Sequence, residues 1–281
     1  MNWLILTLIS AVAYAFAEII GKYVSDEKSE PLFIGIVSAI FTAFASGLFL
    51  FFEPLVFPTQ GWAIAGLLAS AAVVAVGIGT YYKGLKYSDI SEFSLLSRSS
   101  VLMRVIGGIL LFQETFSAMQ IVGGVLIMVS VFSLTWEGKK FHFEKGSRLA
   151  LVTAILFTFG ALFDKAVISF YSPILYTFLV YFFTVLFMFP AAFFHYRKGA
   201  KLPQKKTITA LFFTGSLYGI SAYCIYAAFL SKGPLSLISL ASQLEIPITI
   251  LWGIFIMKEQ KRMIPKLISM CLLIIGIILL K

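Results

Sequence analysis

The chain has 281 residues; 60% are hydrophobic and 12% charged, and Phe alone supplies 29. The charged share is about half the roughly 25% of a globular protein, and mean hydropathy is +0.96. A water-soluble fold of this size would expose apolar patches far beyond the few hundred Å2 that soluble monomers tolerate. That excludes a soluble enzyme, a nucleic-acid-binding domain and a disordered chain. What remains is a polytopic membrane protein, in which the net charge of +9 is read by position along the chain.

A bilayer core about 30 Å thick takes about 20 apolar residues per helix. Runs of that kind lie at 3–21, 32–52, 61–82, 93–112, 119–136, 149–170, 174–195, 208–230, 236–257 and 264–280. The first begins at Trp3 with no basic segment before it and contains Glu18, so it reads as a retained helix. The runs are continuously apolar, which predicts helices and not the alternating strands of a barrel. The breaks are short and polar or Pro-bearing, so any chemistry belongs to the membrane bundle. Cys224 and Cys271 sit inside apolar runs. Neither has metal-ligand spacing, and no metal or other cofactor is expected.

The longest break divides the ten runs five and five, giving a first repeat over 1–137, a cytoplasmic connection over 138–148 and a second repeat over 149–281. Lys22, late in the first helix, aligns with Lys165, late in the sixth. Gln113-Glu114 ends the fourth as Lys258-Glu259 ends the ninth. Gln120, Gly123, Leu126, Ile127 and Ser130 keep the spacing of Lys266, Ser269, Leu272, Leu273 and Gly276. These matches predict a duplication. Five helices per half is odd, so the second half enters from the opposite side. The expected fold is therefore all-α and integral to the membrane, with ten transmembrane helices as two inverted five-helix repeats, an architecture recurrent in secondary transporters.

Glu114, Gln120, Gly123, Leu126 and Ile127, with Pro247 twelve residues before Glu259, resemble the EamA family of the drug/metabolite transporter superfamily across essentially the whole chain. Leu102 stands where that family often has a fourth-helix proline. Lys266 and Ser269 stand where Gln and Gly are usual. The resemblance implies that the fourth and ninth helices line a central cavity, and that solutes are amino acids, other metabolites or amphipathic drugs.

An ionisable group within a span costs roughly 2.5–3.5 kcal/mol on insertion scales and usually faces a cavity or a partner. Glu18, Arg98, Arg104, Asp164, Lys165 and Glu245 qualify. At about 1.5 Å per residue, Arg104 lies roughly 16 Å into the fourth run and Glu245 roughly 14 Å into the ninth. The two either form an ion pair or handle solute and proton. Six residues separate Arg98 from Arg104, about 240° on a continuous helix, so they are expected on different faces. Arg98 then either snorkels or sits at a cavity mouth. Glu18 and Lys22 have i, i+4 spacing suited to a local pair. Asp164 and Lys165 point about 100° apart, so another helix must satisfy one of them.

Tyr82 and Tyr226 align in the third and eighth runs and, with Ser97 and Gln243, supply candidate hydrogen-bonding walls. Interfacial anchoring is the alternative reading of such tyrosines, of Tyr81 and Tyr87 above all. Gly107, Gly108, Gly123 and Gly124 read as helix-packing positions. No catalytic or nucleotide-binding motif occurs, so an enzyme is not expected.

The sequence thus predicts a secondary active carrier of small organic metabolites, amino acids or drugs working by alternating access. The alternative is an importer or exchanger of anionic metabolites such as sugar phosphates. Arg104, Arg98, Tyr82, Tyr226, Gln243 and Ser97 are the expected solute-binding residues. Glu245 and Glu18 are the expected proton-coupling carboxylates. The expected partners are the lipid bilayer, a small solute and a coupled proton; no nucleic acid is expected, and monomer and homodimer stay open. Seventeen Lys and Arg residues lie in the breaks after odd-numbered runs; only Lys232 and Lys281 lie on the other side. The positive-inside rule then places both termini outside the cytoplasmic membrane.

Overall fold

The computed structural model describes residues 2–25, 30–87, 93, 96–135, 145–256 and 263–281, with some side chains at helix ends excepted. Among them no strand occurs. The helices are α1 (Trp3–Ser25), α2 (Pro31–Leu48), α3 (Gly61–Tyr87), α4 (Ser99–Phe112), α5 (Ala118–Thr135), α6 (Lys145–Val167), α7 (Pro173–Arg197), α8 (Lys205–Leu230), α9 (Leu235–Ala241), α10 (Glu245–Phe255) and α11 (Met263–Leu279). Short 3-10 turns extend α2 (Leu50–Phe52) and α6 (Ile168–Phe170) and join α9 to α10 (Ser242–Leu244). Seven segments are long and apolar enough to cross a membrane; Ser99–Phe112, Ala118–Ser133 and Leu267–Leu279 are shorter apolar helices.

Local chemistry explains where several helices begin and end. Pro31 and Pro173 open α2 and α7, where a missing N–H costs nothing and the fixed φ suits the first turn. Before α5, the Ser117 hydroxyl accepts from the Gln120 backbone N–H at 3.3 Å, and the Gln120 side-chain Oε1 accepts from the Ser117 backbone N–H at 3.0 Å. This reciprocal pair is a capping box. Gln113 ends α4 with φ 53°, and the Glu114 N–H reaches back to the Gly108 carbonyl at 3.2 Å, which satisfies an otherwise orphaned helix-end acceptor.

Several expected boundaries change. α6 starts at Lys145, inside the stretch read as a connection to 148; residues 136–144 lie outside the described part. α3 runs on to Tyr87. The fourth run is not one helix from 93, because Arg98 forms a turn ahead of α4.

Packing follows a regular scheme. α1 lies against α8, and α3 against α6; α2 meets α8, and α3 meets α7; α4 contacts α6, and α1 contacts α9 and α10. α2 packs on α7, α5 on α11 and α4 on α9. One end of the bundle gathers Trp3, Glu114, Lys165 and Gly233. Gln120 there donates to the Leu280 carbonyl at 3.3 Å. The other end joins Glu30 to Lys201 and His195, and sets Lys145 over the Tyr87 ring. Large apolar side chains face outward, with Phe51 92% exposed and Leu110 72%. That is the surface a bilayer covers.

α5 and α11 cross glycine to glycine. A Cβ on Gly123 would sit 2.6 Å from the Gly276 carbonyl oxygen, and one on Gly276 would sit 2.8 Å from the Gly123 oxygen. The Ser130 hydroxyl donates to the Ser269 carbonyl across this contact, and Ser269 bonds to Ser133. Close backbone approach with interhelical hydroxyls is how helices adhere in lipid. Gly276→Val must therefore push the helices apart, at the 1–3 kcal/mol typical of overpacking, about 2 kcal/mol here. Gly79→Ala, whose nearest neighbour would be Leu32 at 3.9 Å, is expected to leave stability unchanged or higher. Unfolding of both variants in detergent checks this; equal midpoints would refute it.

Candidate functional site

A cavity of about 250 Å3 lies inside the bundle, lined by α1, α3, α4, α6, α7, α8, α9 and the first residue of α10. Its walls mix apolar residues with hydroxyls, and four charged side chains reach it besides Arg98: Glu18, Arg104, Asp164 and Glu245. Ser10 of α1 and Ser221 of α8 share a hydrogen bond at 2.8 Å on its rim.

Arg98 is the hub. Its Nη1 donates to the Glu245 carboxylate, with Glu245 side chain only 8% exposed, and to Gln243 Oε1 at 3.2 Å. Its Nη2 lies 4.0 Å from Glu18 Oε2, and Tyr81 donates to Glu18 Oε1 at 3.5 Å. Arg98 therefore does not snorkel, and it takes the place expected of Arg104 as partner of Glu245. Ser97, Arg98, Ser100, Val101 and Arg104 all line this cavity, so it spans more than one face of the segment and both guanidiniums reach it. Glu18 faces the same cavity. Its expected pairing with Lys22 falls on a side chain outside the described residues.

Arg104 is held differently. Its Nη2 donates to the Phe157 carbonyl at 3.3 Å, and its Nε is buried with no hydrogen-bond partner. Among the described residues no carboxylate lies within ion-pair distance of it. A buried unmet donor on a guanidinium beside a cavity is costly unless something arrives to accept it.

Asp164 and Lys165 diverge as their spacing requires. Asp164 Oδ1 accepts from Ser70 of α3 at 2.5 Å and Tyr176 of α7 at 2.8 Å. Its Oδ2 accepts from Tyr226 of α8 at 3.2 Å. One carboxylate thus binds three helices together. Lys165 turns toward the bundle end, donating to the Gly233 carbonyl at 2.6 Å and lying over the Phe229 ring.

Ser97 and Gln243 line the cavity. Tyr82 and Tyr226 do not. Tyr226 is buried against Asp164 and the Tyr176 ring, and Tyr82 packs near Gly35, Ile34 and Leu211. The tyrosines that do line it are Tyr14, Tyr81, Tyr181 and Tyr218. Tyr14 carried a readable signal: it stands one turn before Glu18, on the same helical face. Tyr181 carried none.

Glu114 sits at the bundle end, away from the cavity. Its Oε1 accepts from the Leu235 N–H at 2.5 Å. Its Oε2 accepts from the Ser236 N–H at 3.0 Å and the Ser236 hydroxyl at 2.5 Å. A carboxylate there satisfies the orphaned donors at the start of α9 and complements the helix dipole. A Cβ on Gly108 would strike both Ser236 Oγ and Glu114 Oε2, so the glycine makes room for the cap.

The ninth span breaks where Pro247 implies it should. Pro247 cannot donate to the carbonyl four residues earlier, that of Gln243, and the chain makes a 3-10 turn over Ser242–Leu244 at cavity level.

The model of the EamA-like transporter family matches residues 1–136 and 144–281, one match per half. No curated protein matches the sequence. Among 29 solved chains with a similar structure, one crystal structure superposes with a TM-score of 0.80 at 14% identity. It covers 99% of this chain and 97% of its own, which is a likeness of fold.

Proposed function

Because this chain belongs to the EamA-like transporter family, within the drug/metabolite transporter superfamily, we propose that it is a secondary active carrier of small organic solutes. It works by alternating access across ten spans arranged as two inverted five-helix repeats. The packing scheme supports the symmetry: exchanging the first half for the second turns the most extensive helix contacts into others that are present, α1–α8 into α6–α3 and α2–α8 into α7–α3. The observation that carries the solute site is Arg104, a half-buried guanidinium at the cavity whose buried Nε has a donor left over. Its planar fork suits a carboxylate or phosphate. That donor also favours the second reading, a carrier of anionic metabolites such as sugar phosphates. Ser97 and Gln243 contribute hydrogen bonds.

Coupling falls to Glu245. In this structure Arg98 holds its carboxylate. A solute anion that draws the guanidiniums toward itself leaves Glu245, with Glu18 beside it, free to take a proton. In proteoliposomes, a pH gradient is then expected to drive accumulation in the wild type. Glu245→Gln loses that response while solute exchange persists. Gradient-driven uptake surviving in the glutamine variant would end the coupling proposal, and no transport of any solute by the wild type would end the carrier reading. The seventeen basic residues in breaks after odd-numbered runs support an orientation with both termini outside the cytoplasmic membrane. A C-terminal reporter active only in the cytoplasm is expected to stay silent.

A further inference from the structure

A second cavity, of about 520 Å3, opens on the lipid-facing side between α2 and α8 and shares no residue with the central one. The two helices touch backbone to backbone at Gly215, where a Cβ would sit 2.7 Å from the Ser38 carbonyl and 3.0 Å from the Thr42 N–H. One turn further along, at Gly219, the gap to the Thr42 carbonyl has grown to 3.5 Å. The helices diverge from there into a wedge. Phe44, Leu48, Phe49, Phe212 and Ile220 form its walls. Its hydroxyls are spent on their own helices, Ser46 on the Thr42 and Ala43 carbonyls and Ser216 on the Phe212 carbonyl. The wedge is therefore apolar in practice. Beyond the Gly215 contact it runs roughly 10 Å along α8, from Ser216 to Tyr223, at about 1.5 Å per residue.

Its mouth is different. There Tyr223 donates to Glu53 Oε1 at 2.5 Å, and Glu53 Oε2 is buried with no hydrogen-bond partner. Glu53 directly follows the second apolar run, at the depth where lipid headgroups begin. A carboxylate oxygen desolvated at the top of an apolar slot calls for a cationic donor attached to an aliphatic chain. We propose that this wedge binds a membrane phospholipid with a primary ammonium headgroup. One acyl chain lies against the phenylalanines, and the ammonium is bonded to Glu53 Oε2. An ammonium matches both the charge and the missing donor. An anionic headgroup such as phosphatidylglycerol meets repulsion from the same oxygen.

The test uses the full-length protein in detergent, given equal amounts of phosphatidylethanolamine and phosphatidylglycerol with identical chains, and reads bound lipid by native mass spectrometry. Wild type is expected to retain the ammonium lipid about tenfold over the anionic one, a factor equivalent to about 1.4 kcal/mol. Glu53→Gln brings that ratio close to one. Ser216→Trp fills the wedge while leaving Glu53 in place, and is expected to lose the retained lipid. Equal retention of both lipids by wild type would overturn the proposal, as would a ratio that Glu53→Gln leaves unchanged. If the glutamine variant fails to fold, Ser216→Trp decides alone: ammonium-lipid retention equal to wild type refutes the site. Solute transport does not enter the readout, so the carrier reading and this one fail separately.

Discussion

Arg98→Ala is expected to destabilise the protein by about 3–5 kcal/mol, the usual cost of removing one partner from a buried ion pair. The loss arises from what remains. Glu245 is 8% exposed and Glu18 24% exposed in their side chains, and without the guanidinium both carboxylates stand in the cavity with no cation between them. Gln243 also loses its donor. Adding Glu245→Gln to Arg98→Ala removes the orphaned charge and is expected to recover most of the deficit. Thermal unfolding in detergent of the two single variants and the double variant forms a cycle that isolates the pair. An unchanged midpoint in Arg98→Ala would show that solvent in the cavity already screens these charges.

Arg104→Gln should behave in the opposite way. Arg104 gives one hydrogen bond to a carbonyl and keeps a buried donor unmet, so its replacement is expected to leave insertion and unfolding intact. Transport of an anionic solute should fall. A charge-assisted hydrogen bond contributes about 1.5–3 kcal/mol, which is roughly 10- to 100-fold in apparent affinity. Arg104→Lys keeps the charge but loses the fork, and is expected to recover only part of the loss. The measurement is uptake into proteoliposomes against protein quantity and midpoint. Unchanged uptake with an unchanged preference for anions would eliminate Arg104 as the selector.

The contrast between the two arginines marks where sequence reading reaches its limit. Both were visible as charges within a span, because the cost of burying them is a property of one helix and one solvent. Which carboxylate each would meet was not visible. Pairing depends on which carboxylate a long side chain meets across the cavity, and nothing in Leu96-Ser97-Arg98-Ser99 fixes that as Pro247 fixes the break in the ninth span. Glu245 was placed at cavity depth by counting residues; an ion pair with Arg104 was one of two readings left open, and the carboxylate meets Arg98 instead. Asp164 and Lys165 show the converse. Their adjacency alone forces them apart, and each meets a different neighbour. Tyr82 and Tyr226 were drawn toward the site by their alignment between the halves. Alignment carries position within a repeat, but it does not say which way a ring turns. The glycines were legible for the same reason as the spans: a missing side chain on an apolar helix has few uses other than close approach, and Gly123 and Gly276 meet as that predicts.

The broken ninth span has a further consequence. α9 is pinned at its first turn by Glu114, and α10 at its first residue by the bond from Arg98 to Glu245, with the three residues Ser242–Leu244 as the joint between them. A continuous helix would transmit any tilt at one end to the other. A jointed one separates them, so each piece answers to its own restraint. In a carrier built this way, the affinity a solute meets when entering from one face of the membrane need not equal the affinity it meets from the other. Kinetic asymmetry between influx and efflux then has a definite address, three residues long, instead of being spread over the whole bundle.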